Sequence, residues 1–290
     1  MLIPFTDLKE KYKLSVRGII HIGASTGQEM PEYAKNGVEN VVWVEANPEV
    51  YGQLVGNMMN YSKTRCINAL ITDKTGDKRD FNLADNNGES SSIFEFGTHE
   101  QDHPNVKMVG KIPMMETIRF DDLATMHKLD LRQYNFLNMD IQGAELLALK
   151  GMVYALEFFD YIYVEVNNRE VYKGNGLVGE IDDLLAEAGF EGVEDKMTDA
   201  GWGDKLYVRT NAAVIPPAVN VPEVTKEAEK KTEPVVQVVV SGVGPALTEM
   251  EAVIKTLHNK ISQETSGSTA DNLTNWLRNE SSKVIKKYVK

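Results

Sequence analysis

The chain has 290 residues, 42% of them hydrophobic and 26% charged, which is enough for one medium domain with a sizeable core and an appendage. Its formal net charge of −12 excludes a general nucleic-acid binder, because phosphate neutralisation needs clustered Lys and Arg. A single cysteine excludes an intramolecular disulfide, and no leader peptide or membrane-length apolar run is visible, which together fit a reducing, cytoplasmic setting.

Strand-like and helix-like segments alternate from the start of the chain to about residue 210. Residues 18–22 form an apolar strand that runs into the turn Gly23-Ala-Ser-Thr-Gly27, and a helix follows over 28–36. A second strand, 40–45, ends on the carboxylate of Glu45, before a helix over 48–59. Strands follow at 64–71 and 78–83; Cys66 in the first of them reads as an inert buried thiol. Further on come a helix over 120–129, a strand over 134–140, a helix over 144–152, a strand over 161–166, a helix over 179–188 and a last strand over 205–210. Short continuous apolar runs such as Val41-Val-Trp-Val44 suit the centre of a parallel sheet covered on both faces. The alternation predicts an α/β, doubly wound domain over residues 1–210.

Composition changes after residue 210. Prolines and mixed charges without helical periodicity predict an extended linker over 211–244. Leu247, Met250, Ile254, Leu257 and Ile261 make one apolar stripe, and Leu273, Trp276, Leu277, Val284 and Tyr288 make another. They predict a helical pair over 245–290, which either closes on itself or packs on the main domain, or else docks by self-association or on a partner protein.

The ends of three strands carry the chemistry. A glycine turn after the first strand with an acid at the tip of the second is how a βαβ unit makes a nucleoside pocket, the acid accepting from ribose hydroxyls. A dinucleotide fingerprint needs Gly-x-Gly-x-x-Gly, and Ala24 breaks it, so a ligand without a pyrophosphate, such as S-adenosylmethionine, fits better. Asp140 stands at the end of the 134–140 strand, on the rim where open α/β sheets bind ligands, unless it caps the helix near Ala144. Ser90, Ser91 and Ser92 lie in a polar loop that either borders the pocket or is a solvated turn. His99-Glu-Gln-Asp-His103 matches the zinc-protease pattern H-E-x-x-H, but Gly97 and Pro104 flank it and no third ligand is evident. A surface or acceptor-facing loop is the better reading, and no metal site is expected.

The chain resembles the FkbM-type S-adenosylmethionine-dependent methyltransferases. The resemblance is carried by His21-Ile-Gly-Ala-Ser-Thr-Gly-Gln-Glu29, Val44-Glu-Ala-Asn-Pro48, Asn68-Ala69 with Asp73-Lys-Thr-Gly76, Ser90-Ser-Ser92, Met139-Asp-Ile-Gln-Gly-Ala-Glu145 with Leu149-Lys-Gly151, and Glu165-Val-Asn167 with Val171-Tyr-Lys-Gly174. These blocks span about residues 18–210. The resemblance implies a class I methyltransferase-like, mostly parallel seven-stranded sheet in which 205–210 supplies the antiparallel strand. It also implies methyl transfer to the oxygen of a small-molecule or sugar acceptor. Gly23, Ala24 and Ser25 would contact the methionine part of S-adenosyl-L-methionine, Glu45 the ribose, and Asn68 and Ala69 the adenine side; His21, read as a satisfied polar group at the strand end, and Ala46 would also border the cofactor, and Asp140 would face the methyl donor. A hydroxyl acceptor also needs a base, for which Asp140 and Glu165 are the candidates; Glu165 would otherwise brace Asn167 or Tyr172. Two positions depart from the family pattern: many members carry Asp in place of His21, and Lys in place of Asn138, so a positive charge is lost beside the acceptor. A second reading, motivated by the 80 residues the resemblance does not reach, is a methyltransferase-like binding or structural module that the terminal helices attach to a larger assembly.

Overall fold

The computed structural model of the chain describes residues 1–210. The linker and helical pair expected at 211–244 and 245–290 lie outside the described residues, as does the docking role placed on them. In chain order the elements are α1 (Phe5–Lys11), β1 (Ile19–Ile22), α2 (Met30–Lys35), β2 (Val41–Glu45), α3 (Pro48–Met58), β3 (Thr64–Asn68), β4 (Leu70–Ile71), β5 (Lys78–Ala84) and α4 (His99–Asp102). There follow β6 (Met108–Ile118), α5 (Phe120–Met126), β7 (Phe136–Met139), α6 (Glu145–Lys150), β8 (Tyr161–Asn167), α7 (Val178–Glu187), β9 (Phe190–Met197) and β10 (Trp202–Arg209).

Seven strands form one sheet in the order β3-β2-β1-β7-β8-β10-β9. Neighbours from β3 to β8 pair in parallel, and β10 runs antiparallel to both β8 and β9. This is the expected class I sheet with its one reversed strand. The central strands are apolar on both sides because both sides are covered. Ile20, Ile22, Val42 and Val44 join one core, while Ile19, Val41 and Trp43 join the other. Local chemistry starts the helices. Asn47 caps α3 by accepting from the Glu49 N–H at 3.0 Å, with Pro48 in the first turn, and Glu180 reaches back to the Leu177 N–H at 2.9 Å before α7. Among the described residues no helix is long and apolar enough to cross a membrane.

The structure departs from the sequence expectation in four places. The strand expected over 64–71 is two strands. β3 extends the main sheet, the chain then breaks at Ala69, and β4 pairs with β6 in a separate three-stranded sheet of order β4-β6-β5. β6 and β9 were not expected, because most of their residues face outward and show no apolar alternation. α1 was also missed; only Phe5 and Leu8 of its seven residues are buried. The H-E-x-x-H stretch is one helical turn rather than a loop.

Candidate functional site

The turn after β1 is built around a close approach. The N–H groups of Gly23 and Ala24 both donate to the Val44 carbonyl, at 2.9 and 3.0 Å. Gly23 has φ +81°, and a β-carbon there would lie 1.6 Å from the Asp140 carbonyl oxygen, so only glycine fits. Ser25 also sits in the left-handed region, at φ 45°. That conformation lets its N–H donate to Glu45 Oε2 at 2.9 Å, while the Asn47 N–H donates to Oε1 at 2.8 Å. Glu45 is thus fixed at the tip of β2 with both oxygens aligned. Burial pushes its carboxyl up to about 6, against the pull of the backbone N–H groups.

Two cavities meet at this turn. The larger, about 400 Å³, opens over the ends of β1, β7 and β8. The smaller, about 60 Å³, is a slot with Glu45 and Ala46 at one side and apolar walls from Val50, Leu70, Phe81 and Ile93. Gly23, Ser25, Glu89, Asp140 and Gln142 line both.

Asp140 follows β7 at the seam. It does not cap α6, which has no side-chain cap; Glu145 at its start instead pins the preceding turn, its Oε1 accepting from the N–H groups of Ile141 at 2.8 Å and Gly143 at 3.2 Å. Asp140 faces Glu165 of β8, and the Gln142 side chain joins them. Its Nε2 donates to Asp140 Oδ1 at 2.5 Å and to Glu165 Oε2 at 3.1 Å. Gln142 is itself held: φ is 56°, its carbonyl accepts from Ser92 Oγ at 2.7 Å, and its Oε1 accepts from the Tyr172 hydroxyl. Burial raises both carboxyls above their usual range, Asp140 further through Asp204 and Glu165 further through Asp140. Burial likewise raises Glu145, to about 7. Single oxygens of Asp140, Glu145 and Glu165 lie within 4.8 Å of one another, a spacing compatible with a cation, although each carboxylate already has N–H donors.

The other expected residues divide by location. His21, Gly23, Ser25, Asp140 and Glu165 line the larger cavity; Gly23, Ser25, Glu45, Ala46, Ala69 and Asp140 line the slot. Ala24 and Asn68 line neither. Ala24 is fully buried in the core, and the Asn68 amide donates to the carbonyls of Glu45 at 2.8 Å and Ala46 at 3.0 Å, clasping β3 to the end of β2. His21 is buried beside Tyr33, with Nδ1 3.2 Å from the Tyr33 hydroxyl, and that hydroxyl accepts from Asn138 Nδ2 at 2.7 Å. Burial pushes His21 down to about 3, so the ring is neutral. Cys66 is only partly buried, and burial still pushes its thiol up to about 11.

The Ser90–Ser92 loop is no solvated turn, since all three residues are buried. Ser90 lines the larger cavity, Ser91 the slot, and Ser92 holds Gln142. His99 and His103 also reach the larger cavity, with rings 4.9 Å apart. His99 stacks on Phe96 and its Nε2 lies 3.2 Å from Ser90 Oγ. Sequence reasoning missed Gln142, Tyr172, Asp204 and Trp202, all on the wall of the larger cavity. Gln142 stood inside the most specific motif, yet its role depends on β8 lying beside β7. Asp204 is paired with Glu165 by the β8–β10 register, which only a placed β10 reveals.

Among curated proteins the chain is similar to a 2-O-methyltransferase, NoeI, of Sinorhizobium fredii (strain NBRC 101917 / NGR234). The two are 26% identical over 174 residues, 58% of this chain and 70% of the relative. Among solved structures it is similar to a ribosomal protein L11 methylase from Lactobacillus delbrueckii subsp. bulgaricus, with TM-score 0.40, 8% identity and coverage of 72% of this chain and 77% of the other. It is also similar to a TehB-like SAM-dependent methyltransferase from Corynebacterium glutamicum ATCC 13032 Kitasato, with TM-score 0.36, 8% identity and coverage of 69% and 84%. The model of the methyltransferase FkbM domain matches residues 21–191. That match begins on β1, takes in the glycine turn, Glu45 and the Asp140–Glu165 pair, and ends on β9, so this chain is a methyltransferase and belongs to the FkbM family.

Proposed function

We propose that the protein is an S-adenosylmethionine-dependent O-methyltransferase acting on a hydroxyl of a small molecule or sugar. The observation that carries this reading is the pairing of Glu45, locked at the slot by two backbone N–H groups, with Asp140 and Glu165 at the neighbouring cavity. The residues fit the donor. Each Glu45 oxygen accepts one backbone N–H and keeps lone-pair capacity for a ribose hydroxyl. The apolar slot beyond it suits a purine, and the turn offers no pyrophosphate cradle, which S-adenosylmethionine does not need.

When bound, the donor supplies a methyl group on a sulfonium, already a strong electrophile. The protein has to align the acceptor and remove its proton. Asp140 suits the second task. Gln142 engages Oδ1, leaving Oδ2 to take the hydroxyl proton, and a carboxyl raised by burial is a better base near neutral pH than an ordinary one. Glu165, raised well above the usual carboxylate range by burial and by Asp140, accepts from the same Gln142 amide and so fixes Gln142 against Asp140. Buried His21 is neutral and structural. The alternative of a purely structural module is not favoured, because the acidic constellation is assembled and strained into place at Ser25 and Gln142.

The test is incubation of the full chain with methyl-labelled S-adenosylmethionine and a panel of hydroxylated small molecules. Label is expected on an acceptor oxygen and diminished by Asp140→Asn. Label on nitrogen or carbon, or undiminished transfer by that variant, contradicts the reading.

A further inference from the structure

The larger cavity differs from an ordinary polar pocket in the sign of the charged side chains that line it. Glu29, Glu89, Asp140, Glu165 and Asp204 line it, and no Lys or Arg does among the described residues. One cation reaches it, the Met1 α-amine, 4.0 Å from Glu29 Oε1. Several of its amide and hydroxyl donors are engaged within the protein, although the Gln28 amide and the Ser25 hydroxyl remain free to donate. Asn138 donates to Tyr33, Asn86 to Ser90, Gln142 to the two catalytic carboxylates, and Tyr163 to Asp204.

Two acceptor atoms on residues of this wall are buried without a partner. Glu29 Oε2 is a buried carboxylate oxygen without a hydrogen-bond partner. His99, 6% exposed, keeps a partnerless Nδ1, an acceptor whenever Nε2 donates to Ser90. Burial holds that ring neutral by pushing it down to about 4. A buried acceptor without a donor is costly until a ligand supplies one. Trp202, Tyr172 and His99 add aromatic surface to the same wall, and rings combined with carboxylates recognise ammonium groups.

We propose that the acceptor is an amine-bearing polyol, such as an amino sugar, and that the cavity rejects phosphorylated and carboxylated acceptors. The inference rests on the transferase reading above and names the substrate class of that site. A protonated amine brings donors and positive charge to a wall rich in acceptors. A phosphate brings only acceptors and negative charge, and like-charge juxtaposition discriminates against it. The departure at Asn138 fits the same logic: where the family pattern has Lys, this chain has an amide whose N–H is already bonded to Tyr33.

The test measures binding of three matched probes to the full chain at pH 7 by saturation-transfer NMR and calorimetry: glucosamine, glucose and glucose 6-phosphate. Glucosamine is expected to bind about fivefold or more tightly than glucose, the value of one added ion pair, and glucose 6-phosphate not measurably. The preference is expected to shrink with added salt and in Glu29→Gln. Equal affinities for glucosamine and glucose, binding of glucose 6-phosphate comparable to glucose, or no binding of glucosamine overturns the proposal. A parallel titration with S-adenosylmethionine separates the two readings. Donor binding with the wrong probe order removes the amine proposal alone, whereas the expected probe order without donor binding removes the transferase reading alone.

Discussion

Glu45 is the residue on which the proposed donor pocket turns. Its carboxylate is aligned by Ser25 and Asn47 before any ligand arrives, so replacing it removes acceptors rather than fold. Glu45→Ala is expected to weaken S-adenosylmethionine by roughly tenfold to a hundredfold, as charged hydrogen bonds are worth about 1.5–3 kcal/mol each, while leaving the melting cooperative. Calorimetry with a parallel thermal scan checks both, and unchanged affinity removes Glu45 from the ribose role. The acid cluster makes a separate prediction. Glu165 and Glu145 have folded-state pKa values raised by burial, so their contribution to stability is present at low pH and is lost as pH rises through the folded value. His21 and His99 are pushed down and act in the opposite sense, but only below the free imidazole value near 6.5. Relative to Glu165→Gln, the parent chain is therefore expected to lose ligand-free stability as pH rises above the ordinary carboxylate range, by up to about 1.4 kcal/mol per pH unit for each proton involved. Denaturant midpoints whose pH dependence is the same in Glu165→Gln as in the parent chain would contradict this. Glu45 and Asp140 were legible in the sequence because each ends an apolar strand. Gln142, Tyr172 and Asp204 were not, because their partners lie 23 to 39 residues away or further and meet them only through sheet order.

Among the elements, the β1 turn bears the heaviest constraint. Gly23→Ala would force a side chain into the left-handed region and against the Asp140 carbonyl, where backbone rather than a flexible side chain must move. A loss of roughly 3 kcal/mol or more is expected by chemical denaturation, together with loss of donor binding; a near-neutral substitution would refute the described packing of β1 against the β7–α6 turn. The strands around this turn were readable because burial on both faces makes them uniformly apolar. β9 and β6 were not readable, because a mostly outward-facing strand carries no such pattern. The division of 64–71 into β3 and β4 was hidden too. Both halves look extended, and only the Asn68 clasp and the two different partner strands separate them.

At the scale of the molecule, residues 1–210 hold both cores, the complete seven-stranded sheet and both cavities. Deleting residues 211–290 is accordingly expected to leave a soluble, cooperatively folding domain, and an insoluble product would make the tail part of the core instead. Alternation of strands and helices announced the architecture, and the FkbM blocks announced the site rim. The acceptor end was illegible because its wall is assembled from β1, the Ser90–Ser92 loop, α4, β8 and β10 at once. Donor binding underlies both the proposed ribose role of Glu45 and the proposed transferase chemistry. Titration of S-adenosylmethionine into the full chain by calorimetry is expected to give saturable, one-to-one binding that Glu45→Ala weakens; no heat at millimolar ligand, with the protein shown to be folded, would contradict it.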